Sequence, residues 1–170
     1  ADPVSAKLAV FAAAAYDGPV YLSFTRDPVP TLYEPDFPLE IGRAVVVRDG
    51  NDATIIALRD LVAHALVAAA RLAQEGLDVR VIDCHTLKPL DIGCVLQAAR
   101  ETGANVIFGG LGSAIAEVLV ENHPIPMQRI GVRDTFTESG PYLALLDKYG
   151  MSARHIAEAV RWVAARKRRI

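Results

Sequence analysis

Cysteine is nearly absent from this chain: Cys84 and Cys94 are the only two in 170 residues. Two thiols do not make a disulfide framework, so a soluble protein of a reducing, cytoplasmic compartment is expected. Charge of one sign is lacking as well. The 18 lysines and arginines nearly balance 20 aspartates and glutamates, for a formal net charge of −2. That leaves no electrostatic footprint for nucleic acid. The single basic run, Arg166, Lys167, Arg168 and Arg169, reads as the solvated end of a last helix, where cations suit the dipole. No stretch approaches the ~18 apolar residues of a membrane span, and no secretory signal is visible. Neither nucleic acid nor membrane is therefore an expected partner. There is no nucleophile elbow, no P-loop lysine motif and no metal-ligand cluster. Nothing here by itself could run a reaction. The chain opens at Ala1 without a methionine, which suggests a fragment.

Apolar residues are plentiful, at 52%, ample for a buried core. Residues 2–18 read as a helix. Asp2 suits the N-cap and Pro3 the first helical position. Val4, Leu8, Phe11 and Ala15 recur at helical spacing, and Asp17-Gly18 stops it. Residues 19–25, "PVYLSFT", read as a strand. One helix and one strand bury too little surface for a core, so they should belong to a domain completed elsewhere. Residues 27–41, "DPVPTLYEPDFPLEI", carry four prolines and no periodicity, as a stiff linker would.

A regular alternation follows. Strands are expected at 42–48, 54–58, 79–83, 105–108 and 127–132. Helices are expected at 60–75, 91–101, 113–121, 140–148 and 152–168. Strands alternating with helices point to a mostly parallel sheet covered on both faces.

Few residues could carry chemistry. Cys84 and His85 are adjacent at a strand end, so they point to opposite faces and make a poor nucleophile–base pair. His64, His123 and His155 have no partner that spacing identifies. Arg26 stands at the carboxyl end of a strand, where α/β proteins place ligand-binding groups. A guanidinium there can grip a phosphate or carboxylate with two parallel bonds, or make a surface salt bridge. "IFGGLGSAIAEVL", residues 107–119, runs from a strand through glycines into a helix. Such a turn can cradle an anion, or it can be a tight corner only.

Several stretches together are more specific than any of these. "ADPVSAKLAV", "YDGPVYLSFTR", "EIGRAVVVRDGNDATIIAL", "VIDCHTLKPLD", "GGLGSAIAEVLVENHPIPMQRIGVRDTFTESG" and "LLDKYGMSARHIAEAV" resemble the C-terminal part of transketolase-type enzymes. The C-terminal subunit of two-subunit bacterial and archaeal transketolases is the nearest likeness. Deoxyxylulose-phosphate synthase and 2-oxoacid dehydrogenase beta subunits are more distant ones.

The resemblance implies an organisation. Residues 1–30 would be the last helix and strand of a pyrimidine-binding domain, 31–40 a linker, and 41–170 the C-terminal domain. That domain would be an α/β three-layer sheet of about five mostly parallel strands, the first antiparallel. The family moves a two-carbon ketol unit between sugar phosphates. Thiamine diphosphate, held through a divalent metal such as magnesium, is its electron sink. The cofactor lies between two chains, so a homodimer, an N-terminal subunit, or both would be partners. The family's cofactor and catalytic groups lie upstream or in another domain, so this chain alone should bind no thiamine diphosphate and be inactive. Arg26 matches an arginine that binds the substrate phosphate in transketolases. Gly109, Gly110 and Gly112 then read as a backbone turn that lets Ser113 cap a helix. An anion site at Gly109, Gly110, Gly112 and Ser113 is the lesser reading.

The chain departs from the family in places. "NVIF" runs straight into "GGLG" where an acidic-histidine loop is usual. Arg59-Asp60 replaces a pair of small residues, and Ser152 to His155 lacks the acid of a capping box; both bear on local stability. The missing loop and the incomplete first domain motivate an alternative, a non-catalytic assembly module that kept the fold.

Overall fold

Residues 53–57, 79–83 and 105–108 are sealed from solvent along their whole length, as strands covered on both faces must be. The computed structural model describes residues 1–167. Its elements, in chain order, are α1 (Pro3–Ala15), β1 (Val45–Arg48), β2 (Ala53–Ala57), α2 (Leu61–Gln74), β3 (Val79–Asp83), α3 (Ile92–Thr102), β4 (Asn105–Phe108), α4 (Gly112–Asn122), β5 (Met127–Ile130), α5 (Tyr142–Lys148) and α6 (Ala153–Lys167).

The five strands form one sheet in the order β1-β3-β2-β4-β5. β1 runs antiparallel to β3; the other pairings are parallel. Period-2 alternation divides the core between the faces. Ile55, Val81, Val106 and Phe108 pack with α2 and α6, and Ile56, Ile82 and Ile107 pack with α3 and α4. The result is the expected three-layer arrangement. The final helix is described to Lys167, so Arg168 and Arg169 lie outside the described residues. The start of the basic run is not simply solvated. Arg166 lies over the Trp162 ring at 3.3 Å, and Lys167 Nζ donates to the Asn51 carbonyl at 3.3 Å.

The turn between β1 and β2 depends on a buried glycine. A Cβ at Gly50 would stand 2.5 Å from the Val79 carbonyl carbon and 2.6 Å from the Arg80 nitrogen. Backbone of a central strand cannot give way as a side-chain end can. Gly50→Ala is therefore expected to destabilise the domain by about 2–4 kcal/mol in urea unfolding. A loss within about 0.5 kcal/mol would mean that the turn shifts freely.

Two expectations need correction. Residues 19–25 are extended but pair with no strand. A lone strand leaves its backbone groups to water, and none of the neighbours that would pair it is present. Helix α1 forms, with Asp2 capping it through the Ser5 amide at 2.7 Å and Ser5 answering in a capping box. It ends at Ala15, ahead of Gly18. Within it only Ser5 is buried. Phe11 is 63% exposed, Phe24 53% and Tyr21 90%. This segment therefore presents an uncovered apolar surface.

Candidate functional site

β2 and β4 are neighbours, but the helices that follow them leave for opposite faces: α2 to one, α4 to the other. The connecting loops diverge at the carboxyl ends of the strands. In open α/β sheets this switch point is where ligands bind. Here it opens into a cleft of about 890 Å³, walled on the far side by residues 19–25 and 27–29 and the start of α1.

Two loops form its floor. Gly109 and Gly110 have φ of +92° and +91°, which only glycine adopts without strain. A Cβ on Gly109 would also stand 2.9 Å from Leu61 Cδ1. These glycines form a tight turn, but the capping role given to Ser113 is not seen. The chain turns earlier than expected, α4 starts at Gly112, and Leu111 occupies the N-cap with no side-chain bond. Ser113 lies inside the first turn and is exposed.

The other loop carries Arg59, whose φ is +58°. That conformation costs a non-glycine residue about 1 kcal/mol or more. Its Nη1 donates to Ser23 Oγ at 3.2 Å. The adjacent Asp60 does not cap α2; its carboxylate accepts instead from the Tyr142 hydroxyl. Nothing in the sequence marks Arg59 as a left-handed residue. The replacement of small residues at this point is the only signal.

Arg26 is exposed, and its neighbours Thr25 and Asp27 line the cleft while Arg26 itself does not. It stands at the rim. The structure does not bring it together with Gly109, Gly110, Gly112 or Ser113 in one contact.

Cys84 and His85 both border the cleft, and each side chain contacts Thr86. The Cys84 thiol is buried, its pKa pushed up to about 12, chiefly by that burial. Its Sγ lies 3.7 Å from the Thr86 carbonyl, and both cysteines are free. His85 faces the cleft wall, Nδ1 3.0 Å from Thr86 Oγ1 and Nε2 buried without a partner among the described residues. His64 is half-buried on α2 near the Tyr142 ring, His123 ends α4, and His155 Nδ1 lies 2.9 Å from Ser152 Oγ.

A polar chain missed in the sequence ties the cleft wall to the sheet. The Asp2 carboxylate accepts from the amides of Leu32 and Tyr33 at 2.8 and 3.0 Å. The Tyr33 hydroxyl donates to Asp83 Oδ2 at 2.8 Å, leaving Asp83 Oδ1 buried without a partner. Burial raises the Asp83 pKa above its ordinary 3.8, against the lowering effects of the N-terminal amine, Tyr33 and His85. Ionising Asp83 in the folded state is thus unfavourable. Its contribution to stability falls as the pH rises from 3.8 through the raised folded value. Asp83→Asn keeps an acceptor for Tyr33 without a charge. In urea unfolding, the variant is expected to gain on wild type as pH rises from about 4 to 7. A variant that loses ground over that range would show that the ionised carboxylate stabilises the fold.

Among the described residues, no three His, Cys, Asp or Glu side chains gather to hold a metal. Of the carboxylates lining the cleft, Asp2 is engaged by the Ser5, Leu32 and Tyr33 amides and Asp60 by Tyr142, which leaves Asp27 alone and does not fit a metal-bound diphosphate. No described helix is long and apolar enough to cross a membrane.

Comparison with known proteins agrees with this architecture. Residues 42–156 match the family model described as transketolase, C-terminal domain. The 6-deoxy-6-sulfo-D-fructose transketolase subunit SqwH of Clostridium sp. (strain MSTE9) is 43% identical over 159 residues, covering 90% of this chain and 49% of the relative. An apulose-4-phosphate transketolase subunit of Phocaeicola vulgatus is 37% identical over 150 residues, covering 84% and 48%. The chain thus spans about half the length of these relatives. A solved structure described as a split-gene transketolase, an inactive β4 tetramer, superposes with a TM-score of 0.94. It is 44% identical and covers 98% of this chain, which covers 57% of it. By the family match and by the fold, the chain belongs to the transketolase family, as its C-terminal domain with a short segment preceding it.

Proposed function

We propose that this chain forms the C-terminal portion of a split transketolase subunit that moves a two-carbon ketol unit between sugar phosphates. The observation that carries this reading is the 98% superposition on a split-gene transketolase at 44% identity. Residues 1–30 are the end of a pyrimidine-binding domain, 31–40 the linker, and 41–170 the C-terminal domain. The uncovered Phe11, Tyr21 and Phe24 support that division, because a domain cut through its core exposes such side chains.

Thiamine diphosphate and magnesium belong to the complete enzyme, where the cofactor supplies the electron sink for the transferred carbanion. This chain contributes the cleft at the strand ends and the segment carrying Arg26, which binds the substrate phosphate. Its partners are an N-terminal transketolase subunit and a second copy of its own subunit, in the cytoplasm. The test is reconstitution: ketol transfer assayed for this subunit alone, for a purified N-terminal subunit alone, and for the two mixed. Activity confined to the mixture supports the proposal. Inactivity of every combination on phosphorylated ketoses sinks it.

A further inference from the structure

Arg26 at the rim leaves the floor of the cleft with a cation that has no assigned task. Arg59 stands there, beside the switch point between β2 and β4, on a loop that lines the same cavity as Gly109 and Gly110. Glycine would hold its φ of +58° without strain. The chain instead carries a long guanidinium whose one hydrogen bond among the described residues goes to Ser23. Among those residues no carboxylate forms an ion pair with it, and the neighbouring Asp60 is engaged by Tyr142. Its charge is available to a ligand.

Ser23 also relates Arg59 to Arg26. It lies three positions earlier in the same extended segment, a backbone path of at most about 11 Å. Arg26 stands outside the lining, so among the described residues Arg59 is the arginine that faces the cavity. A phosphate has three terminal oxygens, and two of them fit one guanidinium fork.

We propose that Arg59 is an anion-binding residue on the floor of the cleft, which holds the phosphate of a sugar-phosphate substrate and sets preference for phosphorylated sugars. This rests on the reading of the chain as a sugar-phosphate transketolase subunit. It also gives the departure at Arg59 a role beyond local stability.

The test compares Arg59→Gly, Arg59→Lys and Arg26→Ala in the complete enzyme, with matched phosphorylated and unphosphorylated donors. Arg59→Gly removes the charge while relieving the backbone, so its thermal midpoint should be equal or higher. The expected result is a KM for the phosphorylated donor raised about tenfold, with the unphosphorylated donor changed less than about twofold. Inhibition by inorganic phosphate should weaken in parallel, and Arg59→Lys should retain part of the effect. An equal change for both donors, or no change in either KM, overturns the proposal. If Arg26→Ala alone is selective, only this inference fails. If Arg59→Gly alone is selective, the anion contact stands and the assignment of Arg26 fails. A readout free of activity is inorganic phosphate titrated into the chain and followed at the Arg59 side-chain NMR signal. A saturable shift supports the contact, and an unmoved signal overturns it.

Discussion

Arg26→Ala in the complete enzyme is expected to raise KM for phosphorylated sugars by about one to two orders of magnitude. A phosphate held by a guanidinium makes charge-assisted hydrogen bonds, each worth about 1.5–3 kcal/mol. Each 1.4 kcal/mol or so is tenfold in affinity, so losing one such bond accounts for the change. The following Asp27-Pro28 disfavours a regular strand or helix, and in the structure the side chain stands exposed at the cleft rim. An exposed arginine supports little packing, so its removal should leave the thermal midpoint nearly unchanged. An unphosphorylated donor never uses the arginine and should be affected much less. Arg26→Lys should recover only part of the loss, because an ammonium does not form the bidentate fork. Steady-state kinetics on matched donors is the measurement. An equal loss for both would mean that Arg26 supports structure and does not read the phosphate.

The isolated chain is expected to show no ketol transfer and no binding of thiamine diphosphate with magnesium at micromolar concentrations. A divalent metal that bridges a diphosphate needs hard oxygen ligands in near-octahedral array. Of the carboxylates lining the cleft, Asp2 and Asp60 are already engaged by backbone amides and by Tyr142. The cleft offers arginine, serine and backbone turns, but the apolar faces of α1 and the segment after it lie open. Activity should appear only when the complete subunit is mixed with an N-terminal subunit, and in the complete subunit the Phe11, Tyr21 and Phe24 side chains, exposed here, should be protected in solvent-perturbation spectroscopy. Isothermal calorimetry on the chain with cofactor and magnesium decides the first part. Heat that fits micromolar binding by the chain alone would refute it.

Much of this fold was legible one element at a time. The strands at 79–83 and 105–108 were placed to the residue, because short runs rich in valine and isoleucine bounded by turn residues have few other solutions. The N-cap at Asp2 and the glycine turn at 109–110 were equally readable, since each depends on the chemistry of one or two residues and their immediate neighbours. The antiparallel first strand came from the resemblance, and the pairing of Val45 with Asp83 agrees with it.

The remainder needed residues that sequence does not place side by side. Residues 19–25 have the pattern of a strand, yet a strand exists only if another strand pairs with it, and none does here. Ser113 has the right chemistry for a cap, but the turn closes with Leu111 at the N-cap, two residues too early for it to serve. The chain Asp2–Tyr33–Asp83 joins positions 31 and 50 residues apart, and no local rule foretells such a contact. Arg59 is the sharpest case. Its type and position were in plain view, but its φ of +58° and its reach to Ser23, 36 residues earlier, appear only in the folded chain. Local preference chooses helix, strand or turn for a segment. Which segments meet, and which side chains the meeting strains or leaves without a partner, follows from packing the whole chain at once.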